Sequence, residues 1–173
     1  MPEPIHMEKR NNLGYIEDED DLGELIGTRA GLEVWVEHSG ITKFVSVVDR
    51  SVTKRGLPRV AMEIDLSPSG KAWHVDIARA DSRYKGRNLA VRVYVLLMKK
   101  LGLQMKAGTS QSIGGRKIWN KLNRHRDILV FARPNSRSSK VSLVKSGRRQ
   151  LSAESIDLYE EDSNAEIFAY AIG

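Results

Sequence analysis

In the segments between Leu32 and Ala80 apolar residues recur at every second position, and from Leu89 onward they recur at every third and fourth. That change of period constrains the fold more than any other feature, because strands bury alternate side chains whereas helices bury a stripe. The first part predicts strands at Leu32 to Val36, Thr42 to Val48, Val60 to Leu66 and Trp73 to Ala80, joined by turns such as Asp65 to Gly70. In the third strand Val60, Met62, Ile64 and Leu66 share one face. The second part predicts a helix carrying Leu89, Val93, Leu96, Leu97 and Leu101, then a strand at Leu103 to Ala107 and a helix from about Gly115 to Leu122. Strands near Ile128 to Ala132 and Val141 to Val144 follow, and the chain ends in a hairpin with arms Ser155 to Tyr159 and Glu166 to Ile172 around Asp162, Ser163 and Asn164. Before the first strand, the run Glu17 to Asp21 followed by Leu22, Leu25 and Ile26 predicts a short helix over Asp18 to Ile26, its early carboxylates matching the positive end of the dipole. The order predicts an α+β fold with a mixed, mostly antiparallel sheet, a few flanking helices and a C-terminal β-hairpin.

A chain of 173 residues with 40% hydrophobic content is large enough to bury one self-sufficient core, so one domain over 1–173 is expected, with an acidic segment over 1–30. No apolar run approaches the roughly 20 residues of a membrane-crossing helix, and MPEPIHMEKR lacks the apolar centre of a signal peptide, so a cytoplasmic location without membrane attachment is expected. Cys is absent, which excludes disulfides, thiolate metal sites and a cysteine nucleophile. His6, His38, His74 and His125 stand apart without metal-ligand spacing, so no metal is expected.

The net charge of +6 is unevenly spread. Lys117 to Gln150 holds ten bases against one acid, Asp127, whereas Leu151 to Gly173 holds six acids and no base. Two readings fit: oppositely charged faces of one fold that pair with each other, or a basic face for an anionic partner such as nucleic acid, with Lys117 to Arg149 as the contact. Within it, 133–140 is rich in Ser and Arg and reads as a mobile loop.

The helix at Leu89 begins abruptly. Ser82 to Ala90 reads SRYKGRNLA, a turn with cations, a glycine and an asparagine directly after a strand. Unpaired backbone N–H groups at a helix start attract anions, phosphate above all, and Gly86 allows close approach with Lys85 and Arg87 alongside. A helix simply capped by Asn88 is the other reading. The segment "GTSQSIGGRK" does not meet the P-loop pattern, since Lys117 is followed by Ile118.

Strand, Asp81-Ser82, the Tyr84 to Ala90 turn, amphipathic helix, strand and then "GGRKIWNKL" together resemble the GNAT superfamily of acyl-CoA-dependent N-acetyltransferases. There an Arg/Gln-x-x-Gly-x-Gly/Ala pattern opens the central helix and its amides hold the coenzyme A pyrophosphate. On this chain Lys85 takes the Arg/Gln place, Asn88 the middle Gly and Ala90 the last small residue. Lys keeps the cation, and Asn tolerates positive φ better than other non-glycine residues. The stretch "TSQSIGGRKIWNKL" is similar to GNAT-like proteins encoded by bacteriophages, which would place the chain in a host cytoplasm. The resemblance covers about Trp73 to Val130, so 73–130 is expected to be the cofactor-binding core. It implies acetyl-CoA as co-substrate, bound by Lys85, Gly86, Arg87, Asn88, Leu89 and Ala90. It also implies that the backbone of Ala78, Arg79 and Ala80 pairs with the pantetheine arm, beside a parallel strand.

Amine acetylation needs a base, because a lysine acceptor has an unperturbed pKa of about 10.4. Asp76 and Glu63 are the candidate carboxylates. The tyrosine acid that many family members carry would match Trp119, which has no acidic hydroxyl, so the thiolate is expected to leave unaided. The implied activity is acetyl transfer to an amine of a protein or small molecule from a ternary complex. The alternative is a non-catalytic GNAT-like module that engages a host protein or nucleic acid through its basic region.

Overall fold

The computed structural model describes residues 12–108, 113–133, 142–143, 145–146, 149–150 and 166–172. It is a mixed α+β structure in two compact units, residues 1–66 with 77–90 and residues 67–76 with 91–173.

The first unit is an antiparallel meander of β1 (Glu24–Arg29), β2 (Leu32–Ser39), β3 (Thr42–Lys54), most of β4 (Leu57–Ser69) and the end of β5 (Ala72–Ala80). Val34, Val36, Val45, Val47, Met62, Ile64 and Leu66 are each 1% exposed or less, so the alternating face forms the core. At about 25 cal/mol per Å² of apolar surface, each such Val, Leu or Ile contributes roughly 1.5–3 kcal/mol on burial. A bulge interrupts the alternation: Val47 pairs with Met62 and Val48 with Val60, so Ala61 is the extra residue. Val60, Ala61 and Met62 are all buried there, and Asp49 comes to lie opposite Arg59. The bulged Ala61 carbonyl accepts the Asp81 N–H at 2.8 Å, where β5 ends.

The expected amino-terminal helix over Asp18 to Ile26 is not formed. Glu19–Leu22 makes one 3-10 turn, capped by the Asp18 side chain accepting from the Asp20 N–H at 2.9 Å, and Leu25 and Ile26 belong to β1. Gly23 ends the turn at φ 81°, and pairing of Leu25 with Trp35 then wins over four helical residues of marginal length. The turn expected at Asp65 to Gly70 is also shorter: β4 continues to Ser69 and the chain reverses at Gly70 and Lys71. Pro68 is tolerated there on an exposed position.

The second unit holds the hairpin end Ser67–Asp76, helix α1 (Leu89–Leu101) from Val91 onward, β6 (Met105–Lys106), α2 (Ile113–Arg124), β7 (Ile128–Arg133), β8 (Ser142–Leu143), the ribbon of β9 (Lys145–Ser146) with β10 (Arg149–Gln150), and β11 (Glu166–Ala171). Its strand order is β5-β6-β11-β7-β8. β6 runs parallel to β5, with Trp73 opposite Met105 and His74 opposite Lys106. Parallel neighbours need a long crossover, and α1 supplies it. β11 pairs antiparallel with β6 on one edge and β7 on the other, where Phe131 stacks on Phe168 at 5.1 Å. With both edges engaged, Glu166–Ala171 is an inner strand and not the arm of a terminal hairpin; the expected first arm and tip, like the loop 134–140, lie outside the described residues.

In α1, Val93, Tyr94, Leu96, Leu97 and Met98 are buried, and in α2 Trp119 and Leu122. Trp119 packs edge-on against Tyr94, ring centroids 6.3 Å apart.

Gly23 and Gly40 both adopt positive φ, but only Gly23 is crowded: a Cβ there would lie 2.3 Å from the Val36 carbonyl oxygen, whereas at Gly40 nothing lies within 4 Å. Gly40→Ala is expected to cost about 1 kcal/mol for the left-handed backbone alone, and Gly23→Ala about 3 kcal/mol because the adjoining strand must move as well. Urea denaturation of the two variants measures the difference; equal losses would show that β2 does not press on Gly23.

Candidate functional site: a cationic turn ahead of α1

The strand-to-helix turn lies wholly in the first unit. After Ala80, Asp81 caps a 3-10 turn over Ser82–Tyr84 by accepting the Arg83 N–H at 2.9 Å. Gly86 follows at φ 82° and Asn88 at φ 52°, and α1 starts at Leu89. Asn88 is therefore in the left-handed region and not the extended one typical of an N-cap residue. Lys85, Gly86, Arg87 and Asn88 are exposed, Leu89 is buried and Ala90 half-buried. A Cβ on Gly86 would meet nothing within 4 Å, so its glycine serves the backbone conformation and the space above it is open.

Two buried carboxylates hold the turn from below. Asp81 is 1% exposed and also accepts the Leu13 N–H and the Arg59 guanidinium, both at 3.1 Å. Burial alone would raise its pKa, but the backbone N–H groups of Arg83 and Leu13 and the charge of Arg59 outweigh it and leave the carboxyl below its ordinary value. Tyr84 is 2% exposed, and its hydroxyl donates to Asp49 Oδ2 at 2.6 Å. Asp49 Oδ1 is filled by the N–H and hydroxyl of Ser51, at 2.9 and 2.6 Å. Burial together with this carboxylate pushes the Tyr84 hydroxyl up to about 12, while the hydrogen bonds overcome burial to keep Asp49 below the ordinary range. Both acids nearest the turn are thus saturated by partners. Arg83, Lys85 and Arg87 stand exposed above them, with the Arg87 guanidinium 5.2 Å from the centre of the Tyr84 ring. The net result is a concentration of positive charge at the start of α1, where the helix dipole is also positive.

Upstream, Ala78 and Arg79 are exposed and Ala80 half-buried. Arg79 donates to Glu63 at 2.8 Å, so these two expected site residues come together as an ion pair. Asp76, in the second unit, is not a lone carboxylate: His74 Nδ1 lies 2.6 Å and Ser67 Oγ 2.9 Å from its Oδ1. His74 is thereby held by Asp76, with Nε2 as its other nitrogen. Trp119, at the place of the family tyrosine, is 3% exposed and forms part of the core.

Sequence reading missed Asp49, Asp81 and Arg59, the residues that fix the turn. Asp81 sits where a strand ends two residues before a 3-10 turn, a capping signal that was available in the sequence. Asp49 gave none, because its partner Tyr84 is 35 residues away. Among the described residues no three metal-ligating side chains converge, and no helix is long and apolar enough to cross a membrane. The chain matches no known protein family, no characterised protein and no solved structure.

Asp81 ties acid stability to this site. A carboxyl with depressed folded pKa contributes stability that is present above its unfolded pKa of about 3.9 and is lost as pH falls through the folded value. Asp81→Asn is expected to cost about 2 kcal/mol at pH 7, as charged hydrogen bonds do, and the gap to the native chain should narrow below about pH 4. Urea denaturation across that range tests it; a gap independent of pH would remove Asp81 from the acid response.

Proposed function

We propose that this protein binds acetyl-CoA in the manner of the GNAT superfamily and transfers the acetyl group to an amine. The observation that carries the reading is the turn at Lys85 to Ala90. Gly86 and Asn88 in positive φ, exposed cations and a helix start all follow one strand, in a β5–α1–β6 unit whose two strands are parallel. A pyrophosphate needs that combination: backbone N–H donors directed outward, cations beside them and no Cβ in the way. Lys85, Gly86, Arg87, Asn88, Leu89 and Ala90 would receive the pyrophosphate, and the backbone of Ala78, Arg79 and Ala80 the pantetheine arm. The small side chains of Ala78 and Ala80 allow close approach, and the Arg79 guanidinium is drawn to Glu63.

In the transfer, the amine nitrogen attacks the thioester carbonyl, a C–N bond forms, the C–S bond breaks and the amine proton passes to a base. Glu63, held by Arg79, and Asp76, held by His74 and Ser67, are the two candidates for that base. With Trp119 in place of a tyrosine, the thiolate takes its proton from water; a thiol pKa of about 8.5 makes it a tolerable leaving group.

Calorimetry with acetyl-CoA tests the binding. Gly86→Ala keeps the backbone strain of positive φ without adding charge, so it is the reference for Gly86→Asp. The aspartate is expected to weaken binding at least about tenfold relative to the alanine, since it sets a carboxylate among the phosphate donors. Equal affinities would move the site elsewhere. Thiol release over a panel of amines against pH, for the native chain, Glu63→Gln and Asp76→Asn, then tests the chemistry; loss of the pH-dependent rate in one variant names the base. Bound acetyl-CoA without thiol release from any amine would leave a non-catalytic binding module.

A further inference from the structure

Helix α2 has two unlike sides. Trp119, Leu122 and Asn123 are buried, and Lys117, Asn120, Lys121 and Arg124 are exposed at spacings of three and four, so they lie along one face. Arg126 follows just beyond the helix with its side chain 92% exposed. No acid occurs anywhere from Ile113 to Arg126. The first acid, Asp127, is bonded by Lys99 at 2.7 Å, and Arg126 stands 3.5 Å from it.

Compensation of the helix dipole explains only part of this. Lys121 and Arg124 sit at the C-terminal end, where cations are favoured, but Lys117 lies in the N-terminal half, where they are not. The dipole acts only within the end turns, so it gives no account of Lys117.

We propose that the exposed face of α2, with Lys117, Lys121, Arg124 and Arg126 as its cations, is a docking ridge for the phosphodiester backbone of a nucleic-acid duplex. Charge complementarity selects a polyanion. Among the described residues the exposed positions of α2 are Lys117, Asn120, Lys121 and Arg124, none of them apolar, which favours a polyanion over a protein partner, whose interface would need an apolar centre. The lack of an aromatic there selects against single strands, which are held by stacking. A membrane surface would need the apolar face of the helix, and Trp119 and Leu122 are committed to the core. Contacts to phosphates position a duplex without reading its bases, so binding is independent of sequence.

Titration of the full chain with a duplex DNA and a duplex RNA of unrelated sequences tests the ridge. Four contacts at about 0.9 each predict a slope near −3.6 for log K against log salt, a loss of about 150-fold between roughly 50 and 200 mM. Lys117→Glu with Arg124→Glu should cut the slope to about half or less, and the Gln versions should fall between. These positions are exposed, and unchanged circular dichroism would confirm the fold. Lys54→Glu with Arg55→Glu, an exposed pair in another part of the chain, makes the same change in net charge and should leave the slope unaltered. The idea fails if neither duplex is bound at low salt, if single strands bind more tightly, or if the Lys54 and Arg55 reversal weakens binding as much as the α2 reversal.

Discussion

The Asp81 carboxylate is the joint on which the candidate site depends. It ends β5, caps the 3-10 turn through Arg83, receives the Leu13 N–H from the amino-terminal segment and neutralises Arg59. A buried carboxylate is costly unless its oxygens are filled, and here filling them requires three separate stretches of chain to meet. The same condition, applied to Asp49 through Tyr84 and Ser51, fixes the other side of the turn. Together these bonds fix the segment Asp81 to Tyr84 from which the turn at Gly86 and Asn88 departs.

That arrangement also separates the charges. The acids are consumed below the turn, and Arg83, Lys85 and Arg87 are exposed above it. Without Asp49 and Asp81 as buried anchors, the acids of this region would sit among the cations and cancel the positive field at the helix start. Along α2, the acid next in sequence, Asp127, is held by Lys99, with Arg126 3.5 Å away. At the turn the local excess of cations results from where the acids are bound, and along α2 from the scarcity of acids in the sequence.

Much of the architecture was legible as periodicity. Alternation in Val60, Met62, Ile64 and Leu66 gave β4 its buried face, and three-and-four spacing in Leu89, Val93, Leu96 and Leu97 gave α1. Asn88, read as the non-glycine residue most tolerant of positive φ, has φ 52°. The errors came where local signals were even. Glu17 to Ile26 has helix-like carboxylates, but β1 formed because Leu25 found Trp35 across the sheet. The terminal strand was placed in a hairpin with its sequence neighbour, whereas β6 and β7 take both its edges.

The sequence by itself determined the alternation of strands and helices, the mixed α+β class, the missing cysteine chemistry and the cationic turn, because each is a property of neighbours within a few residues. Only the tertiary structure decided which acids are consumed. Asp76 reads as a free strand carboxylate and is bound to His74 and Ser67; Glu63 reads alike and is bound to Arg79; Asp49 gives no sign at all and carries Tyr84. Apart from His74 with Asp76, two residues apart on one strand, these pairings join residues 9 to 35 positions apart and depend on how the strands are registered. A one-residue change of register would turn each side chain to the opposite face, and no local pattern records which register has the lower free energy.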